Sequence, residues 1–280
     1  MRQNIIESNG FFVHSIIPRK GIIMAETRNI VILKIGSNSI STKSGAIRKK
    51  LLESIAKDVM VARTLGWNTV IVSSGAVVCG KNLQGMSNLE TSNQAYSMVG
   101  QRLLLNHWAK AFAEVAGVQI AQGLYTNRML TSLTERKRSI REGLFELLRI
   151  GVVPILNEND GAVLDELLEL MNEGDNDYFA SLTGILLEAK LLVFLTTVEG
   201  VSDPDSGKLV KLINAKDKVF VQKLQDWPGQ SRGGMSSKVR HGQHFVLTTG
   251  GRAVINSFDE DFSLSRAIRG VHTGTRIENL

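Results

Sequence analysis

Four short runs, Ile30 to Ile35, Thr69 to Val72, Val152 to Leu156 and Leu191 to Leu195, are apolar at odd and even positions alike. A strand of that kind has no face to show to water, so it must lie in a sheet covered on both sides. Between and after these runs the apolar spacing changes to that of helices. Helical segments are expected over Ala46 to Leu65, ending at Gly66, then over 75–81, 92–115 and Thr134 to Arg149, and later over Tyr178 to Glu188, Asn214 to Leu224 and Gly234 to Thr249. Val118 to Gln122 and Ala253 to Asn256 complete the strands. Strands alternating with helices imply an α/β fold, a three-layer αβα sandwich with a mostly parallel central sheet.

Composition narrows the function. At 280 residues and 43% hydrophobic, the chain has enough apolar content for a packed core and no disordered character. A single cysteine, Cys79, excludes an internal disulfide and cysteine-rich metal sites, and between Val77 and Val78 on one side and Gly80 on the other it reads as a small buried hydrophobe. Together with the absence of a roughly twenty-residue apolar run, this suggests a soluble, cytoplasmic protein. The net charge of +6 includes the runs Arg48-Lys49-Lys50 and Arg136-Lys137-Arg138, which read as solvated helix faces. Without zinc-finger spacing or an aromatic RNA-binding motif, neither nucleic acid nor membrane is an expected partner, whereas anionic small molecules suit the charge. Residues 1–27 lack the clean apolar core of a signal peptide and are expected to be an extension outside the fold, with 28–280 forming one domain.

The chemistry-bearing residues gather at expected element ends. Asn157-Glu158-Asn159-Asp160 follows an apolar strand, and Gly174-Asp175-Asn176-Asp177 leads into a helix. Carboxylates accept from an ammonium, while amides and helix-start N–H groups donate to a carboxylate, so the pair suits an amino acid. Lys34 ends the first strand and Gly36 follows it, where open α/β sheets bind ligands. Ser73-Ser74-Gly75 opens a helix after the second strand, and Arg232-Gly233-Gly234-Met235-Ser236-Ser237-Lys238 forms a glycine-rich entry to another, a phosphate cradle that is not the Walker pattern. Each of these alone reads equally well as a turn or cap. His107, His241, His244 and His272 have no metal-ligand spacing, and none is placed to activate Ser74.

The ordered set Leu33-Lys34-Ile35-Gly36-Ser37, Val72-Ser73-Ser74-Gly75-Ala76, Val99-Gly100-Gln101, Pro154 to Asp160, Gly174 to Asp177, Leu195-Thr196 and Gly233 to Lys238 resembles the glutamate 5-kinases of the amino acid kinase superfamily. The resemblance runs from about residue 28 to 277. It implies ATP-dependent phosphorylation of the glutamate side-chain carboxylate, with Mg2+ carried on the ATP phosphates and no metal ligands from the protein. It assigns Lys34 and Lys238 to charge neutralisation of the transferring phosphoryl group and Asp175 to holding those lysines in place. Ser74, Asp160 and Asn176 would grip glutamate, supported by Asn157 and Asp177. ATP would lie against Lys34, Gly36, Thr196, Thr197 and the segment from Arg232 through Gly233, Gly234, Met235, Ser236 and Ser237 to Lys238.

Homo-oligomerisation as a dimer or tetramer and feedback inhibition by proline are also implied by this resemblance. The sequence departs from the family at three points. Thr197 stands where the family usually carries Asp, Arg232 stands where it carries a small hydroxyl residue, and no C-terminal PUA module is expected after Ile277. Two alternatives stay open: a sister kinase acting on another carboxylate or phosphate, and a ligand-binding regulatory protein of the same fold with weakened turnover.

Overall fold

The computed structural model describes residues 29–83, 91–115, 118–132, 134–160, 176–226, 234–258, 262–271 and 274–280. The expected extension at 1–27 lies outside them. In chain order the strands are β1 (Ile30–Ile35), β2 (Asn68–Ser73), β3 (Ile120–Tyr125), β4 (Val153–Glu158), β5 (Leu191–Thr196), β6 (Leu212–Asn214), β7 (Arg252–Ser257) and β8 (Thr275–Glu278). The helices are α1 (Ser37–Ile40), α2 (Lys49–Thr64), α3 (Ala76–Lys81), α4 (Asn93–Val115), α5 (Asn127–Thr131), α6 (Glu135–Arg149), α7 (Asn176–Leu186), α8 (Lys218–Asp226), α9 (Met235–Thr249) and α10 (Ser263–Arg269).

One sheet carries the eight strands in the order β3-β4-β2-β1-β5-β7-β8-β6, parallel except where β7 meets β8. All six residues of β1, β2, β4 and β5 are buried, as their uninterrupted apolar sequences require. Alternation along β1 sorts its residues between two cores. Ile30 and Ile32 pack with Phe179 of α7 and Val239 and Phe245 of α9. Val31, Leu33 and Ile35 pack on the other face with Ile55 and Val59 of α2 and Trp108 and Phe112 of α4. Lys34 shares the parity of Ile30 and Ile32, so it belongs to the face covered by α7 and α9. The expected three-layer α/β architecture is therefore the observed one.

From β1 the chain continues to β2 on one side, and from the adjacent β5 it continues to β6, β7 and β8 on the other, which makes the carboxyl ends of β1 and β5 the switch point of the sheet. Close approach of the helices frames that edge. At Gly184 of α7, a Cβ would stand 2.7 Å from a Phe245 ring carbon, so the ring from α9 packs directly on the α7 backbone. At Gly80 of α3 and Gly100 of α4, a Cβ would run into the backbone carbonyls of Tyr96 and Ala76 respectively. The α3–α4 pair is thus locked in register beside the β2 terminus.

Several boundaries differ from expectation. The first long helix begins at Lys49 rather than Ala46, because the chain first makes a tight loop closed by the Ser41–Ile47 bridge, with Gly45 at φ +84°. The segment expected as a helix from Asn214 is instead strand β6 followed by a turn. Asn214 Oδ1 accepts from the Lys216 N–H at 3.0 Å, and Asp217 Oδ1 accepts from the Phe220 N–H at 2.9 Å, delaying α8 to Lys218. The short elements α1, α5, β6, α10 and β8 carry too few residues for their periodicity to stand out.

Candidate active site

Three elements converge on one buried ion cluster. Lys34 comes from the end of β1, Asp177 from the first turn of α7 and Lys238 from the first turn of α9. Asp177 Oδ1 is paired with the Lys34 ammonium, and Lys238 Nζ donates to Asp177 Oδ2 at 2.9 Å. The Asp177 side chain is 0% exposed, and those of Lys34 and Lys238 are 6% and 13% exposed. Burial is the largest single influence on the Asp177 carboxyl and pushes it upward. Attraction and hydrogen bonding from both lysines outweigh that, holding it below the usual carboxylate range. Among the described residues one carboxylate thus binds two lysine side chains.

Backbone geometry supports this cluster. α9 starts at Gly234, and the first turns of α7 and α9 offer N–H groups with no partner inside their own helices. A Cβ on Gly36 would lie 3.6 Å from Lys34 Nζ, in the space immediately beside the ammonium. Thr196 Oγ1 accepts from the Val198 N–H at 3.0 Å and shapes the turn after β5, while Thr197 is exposed. Met235 and Ser236 are partly buried and Ser237 is buried, all in the first turn of α9. Arg232 and Gly233 lie outside the described residues.

A second group lies at the ends of β2 and β4. Gly75 takes φ +115°, where a Cβ would press to 2.9 Å from Ile40, and this turn sets Ser74 at the edge before α3. Asn176 Nδ2 donates to Ser74 Oγ at 2.8 Å, whereas its buried Oδ1 has no hydrogen-bond partner among the described residues. Ser97 of α4 donates to Asp160 Oδ2 at 2.6 Å. Burial pushes Asp160 upward and the Ser97 hydrogen bond only partly offsets it. Asn157 Oδ1 accepts from the Glu158 N–H at 3.0 Å. Glu158 itself turns inward, accepting from Asn127 Nδ2 at 2.7 Å with both residues buried.

The structure thus brings together Lys34, Asp177 and Lys238, and separately Ser74 with Asn176. Asp177, expected among the groups supporting the ligand, is among the described residues the carboxylate that joins the two lysines. Asp175, expected there, lies outside the described residues. Helix periodicity carried the missing signal: Asp177, Ala180, Ser181 and Gly184 form one stripe with i, i+3, i+4 and i+7 spacing, and all are buried. Ser97 and Asn127 were not among the expected site residues, since single polar residues inside apolar segments have no distinguishing pattern. His241 packs its ring 5.0 Å from that of Tyr178, a stacking role rather than a metal one. Cys79 is buried with its thiol pushed up to about 11, the inert small hydrophobe expected.

Comparison with known proteins agrees with this geometry. The sequence pattern described as "Amino acid kinase family" matches residues 29–255. A glutamate 5-kinase of Halalkalibacterium halodurans is 31% identical over 261 residues, covering 90% of this chain and 68% of that protein. A glutamate 5-kinase of Gloeobacter violaceus is 33% identical over 255 residues, covering 88% and 67%. One from Citrifermentans bemidjiense is 32% identical, and the chain spans 66% of its length. Among solved structures, carbamate kinase from Giardia lamblia bound to AMP-PNP shares the fold with a TM-score of 0.65 at 15% identity, over 92% of this chain and 100% of that one. By sequence pattern, by curated relatives and by fold, the chain is a kinase that belongs to the amino acid kinase family.

Proposed function

We propose that the protein transfers the γ-phosphoryl group of ATP to the side-chain carboxylate of L-glutamate, giving L-glutamyl 5-phosphate and ADP. The observation that carries the reading is the buried Lys34–Asp177–Lys238 cluster at the switch point of the sheet. Its chemistry answers the main obstacle to the reaction. An ionised carboxylate must approach an anionic phosphoryl group, and two unit charges about 4 Å apart repel by about 4 kcal/mol at an effective dielectric of 20. Two fixed ammonium groups offset that repulsion, and they strengthen as charge spreads over the transferring oxygens.

No general base is required, because the attacking carboxylate is already ionised at neutral pH. Asp177 keeps both lysines aimed, so little reorganisation remains for the transition state. The two lysines fit a triphosphate, and Mg2+ bound to those phosphates would supply further neutralisation. The amino-acid end of the substrate suits the second group: Asp160 and Asn176 Oδ1, which has no hydrogen-bond partner among the described residues, accept from an ammonium, and Ser74 supports Asn176. Glutamate, rather than another carboxylate, is favoured by the curated relatives named glutamate 5-kinase. The product would feed proline synthesis in the cytoplasm, with a homo-oligomeric enzyme restrained by proline.

A second reading rests on Thr197, exposed where the family usually carries a carboxylate. In that reading the fold binds ligand with weakened turnover. Glutamate-dependent ADP release, measured beside aspartate, N-acetylglutamate and carbamate, separates the readings. Release with glutamate alone supports the proposal, release with another acceptor selects a sister kinase, and none with any acceptor supports the binding protein.

A further inference from the structure

We infer that Ser97 is a positioning residue for the amino-acid half of the site, its hydroxyl holding one oxygen of Asp160 so that the other faces the ligand's ammonium. The inference rests on the glutamate reading above and adds a residue outside the motifs that carry that reading.

Ser97 is 1% exposed in the first turns of α4, where its hydroxyl cannot turn to solvent. Serine is a poorer helix former than alanine, so nothing local favours it at a buried helical position. Its contact is long-range: Asp160 lies 63 residues away, and the 2.6 Å separation is that of a hydroxyl donating to an ionised carboxylate. The helix beneath Ser97 is fixed in place. Gly80 seats against the backbone of its neighbour Tyr96, and Gly100, three residues on, seats against Ala76. α3, the other member of that locked pair, begins two residues after Ser74. One helix pair therefore sets the position of Ser74 directly and of Asp160 through Ser97.

Asp160 needs such a partner. It lies two residues after β4, and among the described residues Ser97 is the hydrogen-bond partner of its side chain. A carboxylate free to rotate would lose orientation toward a bound ammonium, and burial already disfavours its charged form. With Oδ2 occupied by Ser97, the carboxylate presents Oδ1 in one orientation.

The test is steady-state kinetics of the full chain with Ser97→Ala, Asp160→Asn and the double variant. Ser97→Ala should raise the glutamate KM about tenfold, the usual size of a lost hydrogen bond to a charged group. Its kcat and ATP KM should stay within about twofold of the parent, because the lysine cluster is untouched. In the Asp160→Asn background, Ser97→Ala should change glutamate kcat/KM by less than about twofold, since the group it positions is gone. An unchanged glutamate KM in Ser97→Ala, or an equal loss in both backgrounds, overturns the proposal alone. A parent protein that releases no ADP with glutamate overturns the functional reading and this inference with it.

Discussion

Asp177 is a buried carboxylate and Asp160 a half-buried one at one edge of one sheet, yet their surroundings move them in opposite directions. For each, burial is the largest influence and pushes the carboxyl upward. Asp177 has two ammonium groups against it and ends below the ordinary range. Asp160 has one hydroxyl and ends above it. An ion cluster whose members already bind one another inside the protein is organised before any ligand arrives. A desolvated carboxylate that lacks a cation among the described residues still has one to gain, and an amino acid brings it. The two halves thus divide the work: one keeps charge in place for phosphoryl transfer, and the other recognises the acceptor.

The largest expected effect comes from breaking the organised half. Asp177→Ala removes the buried carboxylate that binds both lysines, and should destabilise the fold by about 3–5 kcal/mol in urea denaturation at pH 7. The pH dependence has a definite sign. A carboxyl held below its unfolded value contributes stability that is fully present above about pH 3.9 and is lost as pH falls through the lower folded value. The gap between parent and variant should therefore be constant near neutrality and close in strong acid. A gap that persists at the lowest pH would mean that packing, not charge, is what the variant removed.

Next in size are the lysines themselves. Lys34→Met or Lys238→Met should lower turnover on the order of 100-fold, with glutamate KM much less affected. Near-normal turnover in a folded Lys238→Met protein would remove the phosphoryl clamp from the mechanism. Circular dichroism of the same samples separates this from unfolding.

How far these two halves were legible in the sequence follows from their physics. Lys34 stood out because a charge interrupts an otherwise apolar buried strand, and the glycine-rich turn before Lys238 marked a helix start. The strands of the sheet were legible because burial on both faces forces continuous apolar sequence. Asp177 and its neighbour Asp175 could not be separated by motif alone. What sets Asp177 toward the lysines is its phase on α7, which the packing of Gly184 against Phe245 fixes. Ser97 left no trace, since its partner is 63 residues distant. β8 and the helix at 263–269 were missed because each is short and is held by contacts made far along the chain.

The acceptor half should break more gently and selectively. Asp160→Asn keeps the shape and removes the charge, so glutamate KM should rise at least about tenfold while kcat holds within a few-fold. In the parent, acidification should weaken glutamate before it disables transfer, because Asp160 is the carboxyl held above its ordinary value of about 3.9. Its protonation on lowering pH removes the ammonium's counter-charge while Asp177 is still ionised. Profiles of KM and kcat against pH, recorded for parent and Asp160→Asn, would show this as an acid limb in KM that the variant lacks.

The smallest effect belongs to a third buried aspartate that neither half uses. Asp58 of α2 accepts from the N–H groups of Leu264 and Ser265 at 2.7 and 3.1 Å, capping α10 from 206 residues away. The helix needs this because Phe262, at its start, is in the left-handed region with φ +57° and has no side-chain acceptor to offer. Asp58→Ala should cost about 1–2 kcal/mol of stability, the range for a lost cap, and leave both KM values and kcat unchanged below the unfolding transition. Were turnover to fall as well, with the protein still folded, the α10 end of the sheet would be coupled to the lysine cluster. The division between a transfer half and an acceptor half would then have to include the ends of β5 and β7, which α10 packs beside.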